Sequence, residues 1–363
     1  MVSVGGCWAE EPLIHGAFTA DQWAHLQNEF APPTAPEPCD KEKLPLPAGG
    51  RPYDCDGAAR FGQQLFFEPL LSGPKIFPDP KDESTWFPAA NTACTTCHAT
   101  AYANADKTPA WYTDIRSSNA VSQGALNPTP HNTMSLVNVD VGERTSFGWT
   151  GECGGEPCDT ANDVVNKIAL PKAMQSNAEV IGRAIRNTPH YLATYFAVFG
   201  VDAATTDAFI KQNVELALGA YMRRLVSIDA PFDDFIRGND AAMDDAAKRG
   251  FALFVGRAMC AECHRGPLFT DDGFHVTGVW DAGFDPGRAG TGKFYTTPLR
   301  NVEKTAPYMH KGTLDTLGDV IDFYRAGGHD SGYTGHRSPL MQPFEITPEE
   351  AKDLEAFLRS LTA

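Results

Sequence analysis

The chain has 363 residues, 42% of them hydrophobic and 21% charged, a composition of packed domains that excludes a largely disordered polypeptide. Thirty basic and forty-six acidic residues leave a net charge of −16, which argues against nucleic acid and anionic lipid as partners. No apolar stretch reaches the roughly 18 residues that a transmembrane helix needs. Residues 1–50 hold Pro32, Pro33, Pro36, Pro38, Pro45 and Pro47, which predicts an extended arm. A first helix is expected from Ala58 to Phe67. Residues 99–160 show little periodicity and many turn formers, the pattern of a long structured loop. Helical patterning returns at about 176–199 and at 205–226, where Ile210, Val214, Ala217, Leu218, Tyr221 and Leu225 share one face. Another helix is expected at about 240–256. Leu317, Val320, Ile321 and Tyr324 mark the next, stopped by Gly327-Gly328. The last has Thr347 as N-cap, Pro348 at its first position and Glu350 three residues after the cap, with Leu354, Phe357, Leu358 and Leu361 as its buried stripe. The fold class is mainly α.

The nine cysteines sort by spacing. Cys94-Thr95-Thr96-Cys97-His98 and Cys260-Ala261-Glu262-Cys263-His264 each carry the covalent c-type haem pattern. Two thiols add to the two vinyl groups of one porphyrin, and the following histidine offers its imidazole to the iron. A single Cys-x-x-Cys is also compatible with a redox pair or half a zinc site. A zinc site would want both pairs in one small module, and these lie in different halves of the chain. Two haems therefore predict two cytochrome c-like domains packed around an inter-haem interface. The expected division is an arm at 1–55, an N-terminal haem domain at 56–235 and a C-terminal haem domain at 236–363. Haem c is attached outside the bacterial cytoplasm, so a periplasmic location is expected. There Cys39 with Cys55, and Cys153 with Cys158, are candidate disulfides. Val4-Gly5-Gly6-Cys7 reads either as the tail of a lipoprotein signal, with Cys7 acylated, or as an incidental cysteine in the arm.

Several runs carry a resemblance: Gly62-Gln63-Gln64-Leu65-Phe66-Phe67, Leu71-Ser72-Gly73, Asn132-Thr133, Ala230-Pro231-Phe232-Asp233, Gly266-Pro267-Leu268-Phe269-Thr270-Asp271, Pro298-Leu299-Arg300-Asn301-Val302 and Thr305-Ala306-Pro307-Tyr308-Met309-His310. With the two haem motifs, and from about Phe61 to the end, the chain resembles the bacterial di-haem cytochrome c peroxidases, in particular their MauG-like branch. The resemblance implies that hydrogen peroxide reacts at one haem, here that of His98, while a six-coordinate haem, here that of His264, relays electrons. It also implies roles at the inter-haem site for Trp149, Arg300 and His310. The family's peroxidases place a methionine fourteen residues after the histidine matching His310; that position is Tyr324, as in the MauG-like branch. A phenolate would favour ferric iron, although a tyrosine on an apolar helix face also reads as core. Asn132, Thr305 and Pro307 match the family's inter-haem calcium position, and oxygen donors suit calcium.

The sequence also departs from the family. Trp149-Thr150-Gly151-Glu152 stands where Trp-Asp-Gly-Arg is usual, and His131 replaces an arginine before Asn132. His131 is thereby a candidate for the open position of the first haem, or an ordinary hydrogen-bonded loop histidine. In Pro171-Lys172-Ala173-Met174, alanine occupies the place of the glutamate that moves the proton in O–O cleavage. The remaining candidates for that work are Lys172, Gln175, Glu152 or a water. Ala258 stands where MauG has a tryptophan for oxidising a partner protein. Three functions follow: a peroxidase fed by a small redox protein, an electron carrier or redox sensor, and an oxidant of a partner protein's side chain.

Overall fold

A computed structural model of the chain describes residues 13–37, 54–72, 93–98, 131–142, 144, 146–151, 174, 176–200, 206–280 and 285–363. Two apolar cores organise it. The first gathers residues from Ala58 to Leu225 around helices α2 (Cys55–Phe66), α4 (Ala178–Asn187), α5 (Pro189–Phe199) and α6 (Asp207–Met222). The short helix α3 (Cys94–Cys97) lies beside them. The second core is built on α7 (Pro231–Ile236), α8 (Asp245–Val255), α9 (Leu317–Arg325) and α10 (Pro348–Arg359).

The two cores repeat one device, a pair of helices crossing at a glycine. In the first, α2 crosses α6 at Gly62, where a Cβ would run into the carbonyl oxygen of Ala217 and lie 3.0 Å from the Leu218 nitrogen. In the second, α8 crosses α10 at Gly250, where a Cβ would strike the Asp353 carbonyl and lie 2.8 Å from the Phe357 Cβ. Backbone cannot yield as a side-chain tip can, so these crossings tolerate no side chain. Gly250→Ala is expected to cost about 3 kcal/mol, the upper end for overpacking, read as a lowered denaturant midpoint of the haem-loaded protein. An unchanged midpoint would mean that the helices do not approach so closely.

Helix starts follow the sequence signals. Thr347 Oγ1 accepts from the Glu350 amide at 3.2 Å, and Glu350 answers on the Thr347 amide at 2.7 Å. Helix α9 ends at Gly327 and Gly328, both left-handed with φ of 77° and 85°. The Ile210 to Leu225 stripe is buried as expected, but α6 is buried on nearly all sides from Asn213 to Met222. It lies against both α2 and α4, so one apolar face understated its burial. Within it Asn213 donates to the Tyr195 hydroxyl at 2.8 Å, and Glu215 pairs with Lys211.

The N-terminal segment is not simply an extended arm. Thr19 and Gln22 form a capping box that starts helix α1 (Ala20–Glu29). Phe18, Trp23 and Phe30 are buried in the second core, packed on Phe232, Phe235, Phe251 and Phe269. Proline clustering flagged the chain after residue 31 and said nothing about these aromatics. Helix α7, expected in the first domain, also belongs to the second core, so the cores divide between Leu225 and Phe232. The described residues within 131–151 link the cores, tied by the Asn132 amide to the His310 carbonyl at 2.6 Å and the Asn138 amide to the Leu225 carbonyl at 2.7 Å. The antiparallel pair of β1 (Phe274–His275) and β2 (Phe294–Tyr295) meets this segment, the Tyr295 amide donating to the Trp149 carbonyl at 2.9 Å.

Candidate haem centres and the site between them

At the first attachment motif, the His98 amide closes α3 on the Cys94 carbonyl at 2.8 Å. Cys94 packs on the first core, and the His98 ring lies 6.4 Å from that of Phe66. Burial pushes the nearby Tyr221 phenol above its ordinary range, with Cys94 adding to the effect. Met174, which follows Ala173 in the sequence, is buried in the same core. Lys172, Ala173, Gln175 and Glu152 lie outside the described residues, as do Cys7, Cys39, Cys153 and Cys158. Cys55 is disulfide-bonded, and its partner lies outside the described residues.

The second motif follows α8 through Met259, left-handed at φ 55°, into a single turn at Cys260–Glu262. His264 Nδ1 lies 2.9 Å from the Phe269 carbonyl. A carbonyl only accepts, so Nδ1 carries the hydrogen and Nε2 keeps its lone pair, the tautomer that a metal-ligating histidine needs. Burial also lowers the His264 pKa, which favours the neutral ring. Burial pushes the Cys260 thiol up to about 12 and the Cys263 thiol to about 11.

These groups open on a cavity whose walls include His264, Tyr324, Trp149 and His310, with apolar side chains such as Phe254 and Leu358. Leu317, Val320, Ile321 and Tyr324 of α9 all reach it. Two thiols, an imidazole with a free Nε2, a phenol and otherwise apolar walls fit a covalently held haem. Burial holds the Tyr324 phenol well above its ordinary pKa; an iron would reverse that preference by its own charge. Cys263, Asp271 and His275 hold their ligand atoms within 4.8 Å of one another. Since Cys263 belongs to the haem motif, the trio is no independent metal centre, and His275 Nε2 pairs with Asp271 Oδ2 at 2.8 Å.

Around Trp149 the structure brings most of the expected inter-haem residues together. Trp149 Nε1 donates to the Asn132 carbonyl at 2.7 Å, and the Trp149 ring meets His310 edge-on at 6.2 Å. His310 is buried, stacked on Phe294 at 3.7 Å, and its Nε2 has no hydrogen-bond partner. Burial pushes its pKa down to about 3, against the pull of Asp285. Asn132 donates its side-chain amide to the Pro307 carbonyl at 2.6 Å, while the Thr305 hydroxyl donates to Val302 at 3.0 Å. His131 Nε2 is 3.0 Å from Asp285 Oδ2, and Lys311 Nζ reaches the same oxygen at 2.7 Å. Burial raises the Asp285 carboxyl, but the His131 ring and the Lys311 ammonium beside it outweigh that and hold the group ionised far below the usual carboxylate range. The Asp285–Lys311 partnership carried no signal in the sequence, since neither residue belongs to a motif.

Arg300 stands elsewhere. Its guanidinium makes two 2.8 Å bonds to Asp233, and its Nε donates to the Pro267 carbonyl at 2.6 Å. It does not line the cavity.

The profile of the di-haem cytochrome c peroxidase family matches residues 56–241. The chain belongs to this family. It is a di-haem oxidoreductase, and its two attachment motifs account for two c-type haems. Methylamine utilization protein MauG of Methylorubrum extorquens is 32% identical over 83% of this chain and 77% of its own length. Cytochrome-c peroxidase IdrP1 of Denitromonas iodatirespirans is 31% identical over 91% of this chain and 86% of its own. Among solved structures, a MauG-like protein associated with microbial copper homeostasis superposes with a TM-score of 0.67 at 25% identity, covering 88% of this chain and 94% of that one. The diheme peroxidase BthA from Burkholderia thailandensis shares the fold, with a TM-score of 0.63 at 20% identity over 91% of this chain and 89% of its own. This likeness covers both haem domains and matches a mainly α architecture. Among the described residues no helix is long and apolar enough to cross a membrane.

Proposed function

We propose that this chain is a periplasmic enzyme that reduces hydrogen peroxide at the His98 haem and relays or stores the second oxidising equivalent at a His264/Tyr324 haem. One observation carries the reading: an anchored imidazole and a buried phenol line the same cavity as Trp149. The haems supply the iron at which peroxide binds and electrons are exchanged. The chain supplies the rest. The Phe269 carbonyl holds His264 in the ligating tautomer, and apolar walls exclude water from the second centre. Trp149, oriented by the Asn132 carbonyl, offers a π-system between the centres. A disulfide at Cys55 suits an oxidising compartment, and an acylated Cys7 would tether the protein there.

A calcium ion between the haems belongs to the same reading. It would take the Asn132 side-chain oxygen with the Thr305 and Pro307 carbonyls, the Asn132 amide turning from its present donor position. The electron source is a small redox protein.

Mixing peroxide with the fully reduced and the diferric protein tests this function. Turnover with a reduced donor is expected. A long-lived oxidised state without donor would favour oxidation of a partner protein's side chain, and no reaction in any state would favour a carrier or sensor. Tyr324→Phe is expected to abolish the low-spin ferric signal of one haem and leave the other unaltered, read by optical and spin-resonance spectra. An unchanged spectrum would make Tyr324 a core residue.

A further inference from the structure

One buried phenol in the cavity wall is paired with a group able to keep its proton. Tyr295 is 3% exposed and is part of the wall of the cavity that His264, Tyr324 and Trp149 also line. Its hydroxyl donates to Asp272 Oδ1 at 2.5 Å and accepts from an Arg144 amino group at 3.3 Å. The Arg144 guanidinium also lies 5.4 Å from the centre of the Tyr295 ring. The backbone joins the residue to the inter-haem tryptophan, since the Tyr295 amide donates to the Trp149 carbonyl at 2.9 Å. Tyr308 lines the same cavity, but its hydroxyl donates to the Val302 backbone carbonyl at 3.2 Å. A carbonyl accepts a hydrogen bond and cannot hold the proton; a carboxylate can.

That difference matters for electron loss. A phenol that gives up one electron becomes a strong acid, so its proton must leave in the same event. A cationic ring would also be opposed by the guanidinium beside it, and only the neutral radical escapes that repulsion. Burial pushes the Tyr295 phenol above its ordinary pKa, Arg144 opposing and Asp272 adding, so the resting group carries its hydrogen.

We propose that Tyr295 is a hole-storing side chain that gives one electron toward the Trp149 side of the cavity while its proton passes to Asp272. The proposal rests on the peroxide reaction inferred above. Reduction of hydrogen peroxide to two waters takes two electrons and two protons. Tyr295 supplies one electron and the haem centres the other. Both protons come from solvent, because the phenolic proton stays on Asp272. The product is a neutral phenoxyl beside a protonated carboxyl, and a one-electron donor returns both to rest as the proton moves back.

Freeze-quench spin resonance of the diferric, haem-loaded protein mixed with peroxide tests this. An organic radical is expected whose hyperfine pattern narrows when the protein carries ring-deuterated tyrosine. Tyr295→Phe should remove it and Tyr195→Phe should leave it in place. Asp272→Asn, which keeps the shape but not the base, should slow its formation by about 10²-fold. Should Tyr295→Phe fail to load haem, the wild-type radical must still show an exchangeable proton coupling along its hydrogen bond and the Asp272→Asn slowing; absence of either overturns the proposal. A haem spectrum that responds to peroxide with no tyrosine radical, or with one that survives in Tyr295→Phe, also overturns it. Haems that ignore peroxide overturn the peroxidase reading instead. In that case a photo-oxidised ruthenium polypyridyl with a sacrificial acceptor supplies the hole, and failure to find it on Tyr295 refutes the assignment.

Discussion

Ala173→Glu is expected to raise peroxide turnover by about 10²–10⁴-fold, the usual worth of one positioned acid–base group. Cleaving the O–O bond asks a base to take the first proton and return it to the leaving oxygen. Resemblance to the family places a glutamate immediately before a methionine for that work, and this chain has Ala173 before Met174. Met174 is buried in the first core, and Ala173 lies outside the described residues. Wild-type turnover should accordingly be slow. The variant's rate should fall on the acid side, as pH drops through the pKa of the new carboxyl and the base is protonated. That pKa starts from about 4.3 in water and moves up with burial. Steady-state peroxide consumption across pH measures both features. A fast wild type with no response to the substitution would mean that another residue carries the proton. Peroxide that reacts with neither form in any redox state would leave the carrier.

Asp233→Ala is expected to cost about 3–5 kcal/mol of stability, because it strands a buried guanidinium without its counter-charge. The Asp233 and Arg300 side chains are 0% and 1% exposed and share two 2.8 Å bonds. Asp233 Oδ2 also accepts from the Ala230 amide at 2.8 Å, so the carboxylate caps α7 as well. Since Arg300 reaches the Pro267 carbonyl, the pair staples α7 to the loop that follows the second haem motif. Replacing both partners by apolar residues, as Asp233→Leu with Arg300→Met, should recover much of the loss. Chemical denaturation of the haem-loaded variants reads the effect. An Asp233→Ala protein as stable as wild type would show that the staple carries no net stability. Peroxide turnover of the stable double variant then reports whether Arg300 has any part in the chemistry.

Sequence alone determined the two haem motifs, the mainly α class and the ends of α9 and α10, for reasons that are local. Thioether spacing, a Thr347–Glu350 capping box and a Gly327-Gly328 stop act within a few residues, and short-range chemistry is written in order along the chain. The family resemblance rested on runs of the same kind. Helix α1 was not read from the sequence, where the prolines of residues 1–50 suggested an extended arm: its Thr19–Gln22 capping box is local, but the bowl that receives Trp23 and Phe30 is made by residues some two hundred positions away. Tertiary structure alone decided what the polar side chains near the site are bound to. Arg300 meets Asp233, His131 and Lys311 converge on Asp285, and Tyr295 meets Asp272, pairs whose partners come from different elements. A charge reveals its sign in a sequence, whereas its role depends on which opposite charge the fold carries within about 3 Å and how far water is excluded around them.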